Sequence, residues 1–131
     1  MRVLSSMPET RTAHVALTDT GFVVVRIHNG AHQSLADAQA NLSMALSETA
    51  GRRRPLLIDI RVGKPLESDV RHYYSGQKLV EGFVAVALLV EASPFGRMMG
   101  NVYLRVARLG IPTQLFSDEV RAVEWLTGHR L

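Results

Sequence analysis

Two stretches, LLIDI at residues 56–60 and FVAVALLV at 83–90, are apolar without the alternation that a half-exposed strand shows. They are short for helices and carry β-branched residues, so they read as strands covered on both faces, the condition of central strands in a parallel or mixed sheet. Parallel neighbours need a crossover of about a dozen residues or more. Segments of helical period supply it here, which points the chain to an α/β fold.

The remaining elements follow from local signals. Residues 11–18 (RTAHVALT) and 22–28 (FVVVRIH) predict a β-hairpin turned by Thr18 to Gly21. Ser34 is placed to cap a helix with Leu35, Ala38, Leu42, Ala45 and Leu46 on one face, stopping at Gly51. A second helix is expected to begin at Glu67 or Ser68 and run through VRHYYSGQKLV, with Val70, Tyr73, Tyr74, Leu79 and Val80 inward and Gly76 as its weak point. Ser93 and Pro94 read as the opening of a third helix, with Met98, Met99, Val102, Tyr103, Val106 and Leu109 inward and Gly110 as its stop. A short strand over 111–116 (IPTQLF) follows, and Ser117 is read as the cap of a last helix beginning DEVRAVEWL. The expected order is β-β-α-β-α-β-α-β-α, one mixed sheet whose later strands are parallel. No linker or repeat divides the 131 residues, so a single domain over 1–131 is expected, with 1–10 a less ordered segment.

Composition removes several classes of function. The chain has no cysteine, hence no disulfide, thiolate metal site or cysteine nucleophile, which fits a reducing cytoplasm. The N-terminal residues lack the apolar stretch of a signal peptide, and the longest apolar run, 83–90, is too short to span a bilayer. A cytoplasmic protein without membrane insertion is expected. Fifteen basic against 12 acidic residues leave a net charge of +3, with one cluster, Arg52 to Arg54. Without interleaved aromatics that triplet reads as a solvated turn, and no nucleic-acid partner is expected.

Candidate chemistry is sparse. His28 and His32 are spaced for one helical face, but Asn29 and Gly30 between them argue for a turn, and His14, His72 and His129 stand alone in the sequence. No metal site is expected. Gly63-Lys64 lacks the preceding glycine of a phosphate-cradling loop, and no cofactor is expected. Asp59 falls near the carboxyl end of a parallel strand, where open α/β sheets place ligands, but reads first as an acceptor for the backbone of the following loop. Ser68 reads first as a helix N-cap. Asp59, His72 and Tyr73 are the one cluster an enzyme reading offers, and no catalytic constellation is recognised. Adjacent Tyr73 and Tyr74 point in different directions on a helix, so at least one belongs to the core. Gly96 and Gly100 are spaced to let the third helix approach its own sheet or a second subunit.

The stretches LLIDIRV, FVAVALLVEASPFGRMMGNVYL and IPTQLFSDEVRAVEWL, in this element order, resemble the STAS domain, the SpoIIAA-like or anti-sigma-factor-antagonist fold, over nearly the whole chain. They look like a group of small bacterial STAS/SpoIIAA-like proteins without an assigned biochemical activity. The resemblance implies a non-catalytic regulatory or protein-interaction module. In antagonist members a serine after the third strand is phosphorylated by a partner kinase, and the phosphate blocks binding. The matching segment is GKPLESDVR, where Ser68 is the hydroxyl and Glu67, Asp69 and Val70 replace the usual neighbours, so the acceptor position falls on Ser68 or, with a one-residue shift, Asp69. The implied switch or ligand loop comprises Asp59, Lys64, Glu67, Ser68 and Asp69. The implied interaction surface comprises Tyr73, Phe95, Arg97 and Asn101. A protein partner is expected and a homodimer is compatible; the alternative is a small-molecule or lipid-binding relative of the same fold.

Overall fold

The structure, a computed structural model, describes residues 8–74, 76–91, 108 and 110–129. Five strands form one sheet in the order β1-β2-β3-β4-β5: β1 (Ala13–Leu17), β2 (Val23–Ile27), β3 (Arg54–Asp59), β4 (Phe83–Leu89) and β5 (Thr113–Phe116). The first pair is antiparallel and each later pair parallel, the mixed sheet expected from the two apolar runs. The hairpin turns where predicted: Gly21 N–H donates to Thr18 C=O at 3.0 Å, with Gly21 at φ +90°, a conformation that glycine adopts without Cβ strain. The last strand is shorter than expected, starting at Thr113, although Ile111 is buried before it.

Helix α1 (Leu35–Glu48) begins with a full capping box. The Ser34 hydroxyl accepts from Asp37 N–H while the Asp37 carboxylate accepts from Ser34 N–H. Its end comes earlier than Gly51: Thr49 is the C-cap, and Ala50 and Gly51 both take positive φ to turn the chain toward β3. The helix expected across 68–80 is two helices, α2 (Ser68–Tyr74) and α3 (Gln77–Gly82). Gly76 sits between them in extended conformation, so the low helical propensity that marks it in the sequence becomes a break. Helix α4 (Glu119–Thr127) closes the chain, and its cap is Asp118, not Ser117; the Asp118 side chain accepts from Val120 N–H at 3.0 Å. Serine and aspartate both cap well, and local pattern alone does not choose between adjacent candidates. The third helix expected over 93–109, with its inward residues and Gly96 and Gly100, lies outside the described residues apart from Arg108, which is helical.

Two apolar layers flank the sheet. On one face Val15, Val23, Val25, Leu56, Ile58, Val86 and Leu88 pack with Ala38, Leu42 and Ala45 of α1, Val70 and Tyr74 of α2 and Leu79 of α3. On the other, Ala16, Phe22, Val24, Leu57, Ala87 and Leu89 pack with Ala122 and Leu126 of α4, where the Phe116 and Trp125 rings meet at 5.7 Å. Alternate residues of each strand thus face opposite helices. Residues 8–10 fold back on β1: Val15 N–H donates to Pro8 C=O, and Glu9 bridges His14. No helix among the described residues is long and apolar enough to cross a membrane.

Candidate functional site

The sheet divides the expected switch loop. Asp59 follows Leu57 in the alternation of β3 and therefore points to the α4 face, whereas Ser68 opens α2 on the opposite face. The grouping of Asp59 with Lys64, Glu67, Ser68 and Asp69 as one site is corrected accordingly. Neighbours along the chain are separated by the width of the sheet.

Asp59 is held by two arginines. Arg61 donates to both its carboxylate oxygens at 2.9 Å and its own backbone N–H lies 3.2 Å from Oδ1, while Arg26 Nη1 reaches Oδ2 at 2.7 Å. Both arginines also bond Glu119 at the start of α4, Arg26 through Nη1 at 2.8 Å and Nη2 at 2.9 Å, Arg61 through Nη2 at 3.0 Å. Burial alone would raise the Asp59 carboxyl, but hydrogen bonds from Arg61 and the charges of Arg61 and Arg26 hold it below the ordinary carboxylate range. The Arg26 hydrogen bonds lower Glu119 in the same direction, against its partial burial. Every charge in this set has an opposite partner. Its evident work is to dock α4 on β2 and β3, and the backbone-acceptor reading of Asp59 holds through Arg61 N–H.

The GKPLES loop runs beside the HNGAHQ loop that precedes α1. Gly30 N–H donates to Val62 C=O at 2.7 Å and Lys64 N–H to Ala31 C=O at 3.0 Å. Gly63 permits that approach, since a Cβ there would lie 2.7 Å from Ile27 Cγ2. Lys64, Glu67, Ser68 and Asp69 are all exposed. Glu67 faces His32 at 3.3 Å, and its carbonyl accepts from Arg71 N–H, which makes it the residue in cap position. Ser68 is already the first residue of α2, and its hydroxyl makes no hydrogen bond with any described residue. The N-cap reading of Ser68 is therefore replaced: the hydroxyl faces solvent.

Ser68 and Asp69 form one rim of an open groove of about 580 Å³, completed by Leu35 of α1 and His72 and Tyr73 of α2. A second hollow of about 240 Å³, lined by Gln39, Ser43, Leu46, Tyr73 and Lys78, shares Tyr73 with it. Tyr73 is thus half-buried between two concavities, while Tyr74 belongs to the core. Phe95, Arg97 and Asn101 lie outside the described residues.

Arg52 to Arg54 are not merely a solvated turn. Arg53 Nη2 donates to Val80 and Phe83 carbonyls at 2.9 and 2.7 Å, and Arg54 to those of Thr49 and Gly21 at 2.8 and 3.2 Å, so the arginines tie loops together beside a hollow of about 280 Å³. Two groupings escaped the sequence reading. One is a buried set of Thr12, Gln33, Asn41 and Tyr74; the other brings His14 and His28 beside Glu9. The second was legible in principle, because a turn at 18–21 sets His14 and His28 diagonally across the hairpin on one face.

No match is found among curated proteins. Among solved structures, the chain is similar to an uncharacterized protein of the DUF3478 family from Shewanella loihica PV-4, described as having a SpoIIAA-like fold. The identity is 17%, the TM-score 0.55, and the match covers 95% of this chain and 94% of that one. The fold is thus SpoIIAA-like, as the resemblance implied. The match of residues 16–130 to a family model, nearly the whole described sheet and its helices, shows that the chain belongs to the family of the domain of unknown function DUF7793.

Proposed function

We propose that this domain is a non-catalytic regulatory or protein-interaction module that docks a protein partner along the α1–α2 groove and is switched at Ser68. The observation that carries the reading is the position of the Ser68 hydroxyl: solvent-facing, without a bond to any described residue, on the rim of a groove whose walls are Leu35, His72 and Tyr73. Leu35 is among the few large apolar residues left exposed among the described residues, at 38%. An aromatic ring set between two hollows, as Tyr73 is, has the character of a binding anchor. A phosphoryl group on Ser68 would bring nearly two negative charges next to Glu67 and Asp69, and repulsion at that rim would expel an acidic or apolar partner surface.

The test is affinity purification from the native cell, with mass spectrometry of both the bound proteins and Ser68. A stoichiometric partner kept by Ser68→Ala and lost by Ser68→Glu and Tyr73→Ala, each shown folded by circular dichroism, is the expected result. An unmodified Ser68 with no partner, or a partner indifferent to both losses, sinks the proposal. A co-purifying lipid or small molecule in place of a protein would favour the ligand-binding alternative.

A further inference from the structure

On the α4 face, at the edge of the sheet, three side chains with metal-binding atoms converge. His14 lies on β1, His28 just beyond the end of β2, and Glu9 on the segment folded back against β1. Their ligand atoms all lie within 4.8 Å of one another. Glu9 Oε1 is 3.0 Å from His14 Nδ1 and 3.7 Å from His28 Nε2, and the two imidazole rings meet edge to face at 4.4 Å.

This convergence is built by the backbone. The hairpin register pairs His14 with Arg26, which puts His28 diagonally opposite on the same face. His28 N–H donates to Thr12 C=O at 2.8 Å and pins the end of β2, while Thr10 N–H donates to Ala13 C=O and turns Glu9 back over His14. Arg26, the nearest fixed cation in the register, is engaged by Asp59 and Glu119.

A further observation distinguishes the cluster from an ordinary ion pair. His14 Nδ1 is shielded from solvent and makes no hydrogen bond, although a Glu9 carboxylate oxygen lies 3.0 Å away. Two ligand atoms of a tetrahedral zinc ion are about 3.4 Å apart, given ligand distances of about 2.0–2.2 Å. The two Glu9 distances lie on either side of that value. Two imidazoles and one carboxylate favour a borderline transition-metal ion over calcium or magnesium, which prefer all-oxygen shells.

We propose that Glu9, His14 and His28 form a binding site for a divalent ion of the zinc class, with a water molecule completing the shell. The ion would clamp residues 8–10 to the hairpin. This site lies across the sheet from the α1–α2 groove and does not depend on the function proposed there.

The experiment is calorimetric titration of the untagged full chain with zinc sulfate, together with visible spectra of the cobalt(II)-loaded protein. The expected result is one site per chain with tetrahedral cobalt bands. His14→Ala, His28→Ala and Glu9→Gln should each weaken binding at least about tenfold, since even losing a partner of a ligand costs that much. His129→Ala, which removes a histidine packed at a tilt against Trp125, should leave it unchanged. If His14→Ala proves unfolded by circular dichroism, Glu9→Gln and His14→Gln decide the matter. No binding, binding that survives the ligand substitutions, or equal loss in His129→Ala overturns the site.

Discussion

Two polar sets on opposite faces of the sheet are buried by opposite means. Under α1 and α2 the buried set is neutral: Asn41 Nδ2 lies 2.9 Å from Thr12 Oγ1, 3.0 Å from Gln33 Oε1 and 3.2 Å from Tyr74 OH, while the Tyr74 hydroxyl donates to Gln33 and Thr10 donates to Asn41 Oδ1. Asn41 is fully buried, and burial pushes the Tyr74 phenol upward, so it stays protonated as a donor. Under α4 the set is ionic and sits at the end of the strands, where Arg26, Arg61 and Glu119 keep about a third of their side-chain surface in water. Charges are affordable there because solvent and opposite charge share the cost of desolvation. In the closed layer beneath α1, amides and hydroxyls can be satisfied without charge.

That contrast can be broken in three ways. The largest effect is expected from Asn41→Leu, which strands the polar groups of Thr12, Gln33 and Tyr74 in a dry layer. It should cost about 3 kcal/mol in urea unfolding, with little change between pH 5 and 8, since each unpaired buried group costs about 1–3 kcal/mol. A cost that varied strongly across this pH range would mean the set is not neutral.

Next, Asp59→Asn leaves two arginines sharing one carboxylate and should cost about 2 kcal/mol at neutral pH, less than for a fully buried pair because both arginines are partly solvated. Asp59 and Glu119 are both depressed in the folded state. Their contribution is therefore complete above the ordinary carboxylate range, near pH 4, and is lost as the pH falls through the depressed values. Stability curves of the parent and Asp59→Asn proteins should accordingly converge in acid; parallel curves would refute the ionic account. The smallest effect is expected from Glu119→Gln, about 1 kcal/mol at low salt and shrinking at 1 M salt, where the Debye length is about 3 Å. The same salt jump should leave the Asn41→Leu difference unchanged.

The candidate sites show where a linear reading succeeds. Ser34 and Asp37 stand three apart, and the capping box they form needs nothing beyond one helical turn. Asp37 does gain a partner that spacing did not suggest: Arg11 bonds its carboxylate, and those bonds together with Ser34 hold the group well below its usual range. Asp59 was legible as a residue at the carboxyl end of a parallel strand. Its partners were not, because Arg26 lies 33 residues away and Arg26 and Glu119 are separated by 93. Ser68 was legible as a helix start, yet whether serine or the preceding Glu67 takes the cap position depended on how the loop was pinned to Ala31 and Gly30.

By itself the sequence determined the α/β class, the hairpin turn, the two central strands and the starts of α1 and α2, because each rests on interactions within a few residues: apolar periodicity, capping and turn conformation. Tertiary structure decided which residues share a face. It put Asp59 and Ser68 on opposite sides of the sheet, broke the second helix at Gly76, and gathered Glu9, His14 and His28 at one edge. Side-chain direction alternates with every residue of a strand, so such groupings follow from strand register and from the side on which each crossover packs, both set by contacts distant in the chain.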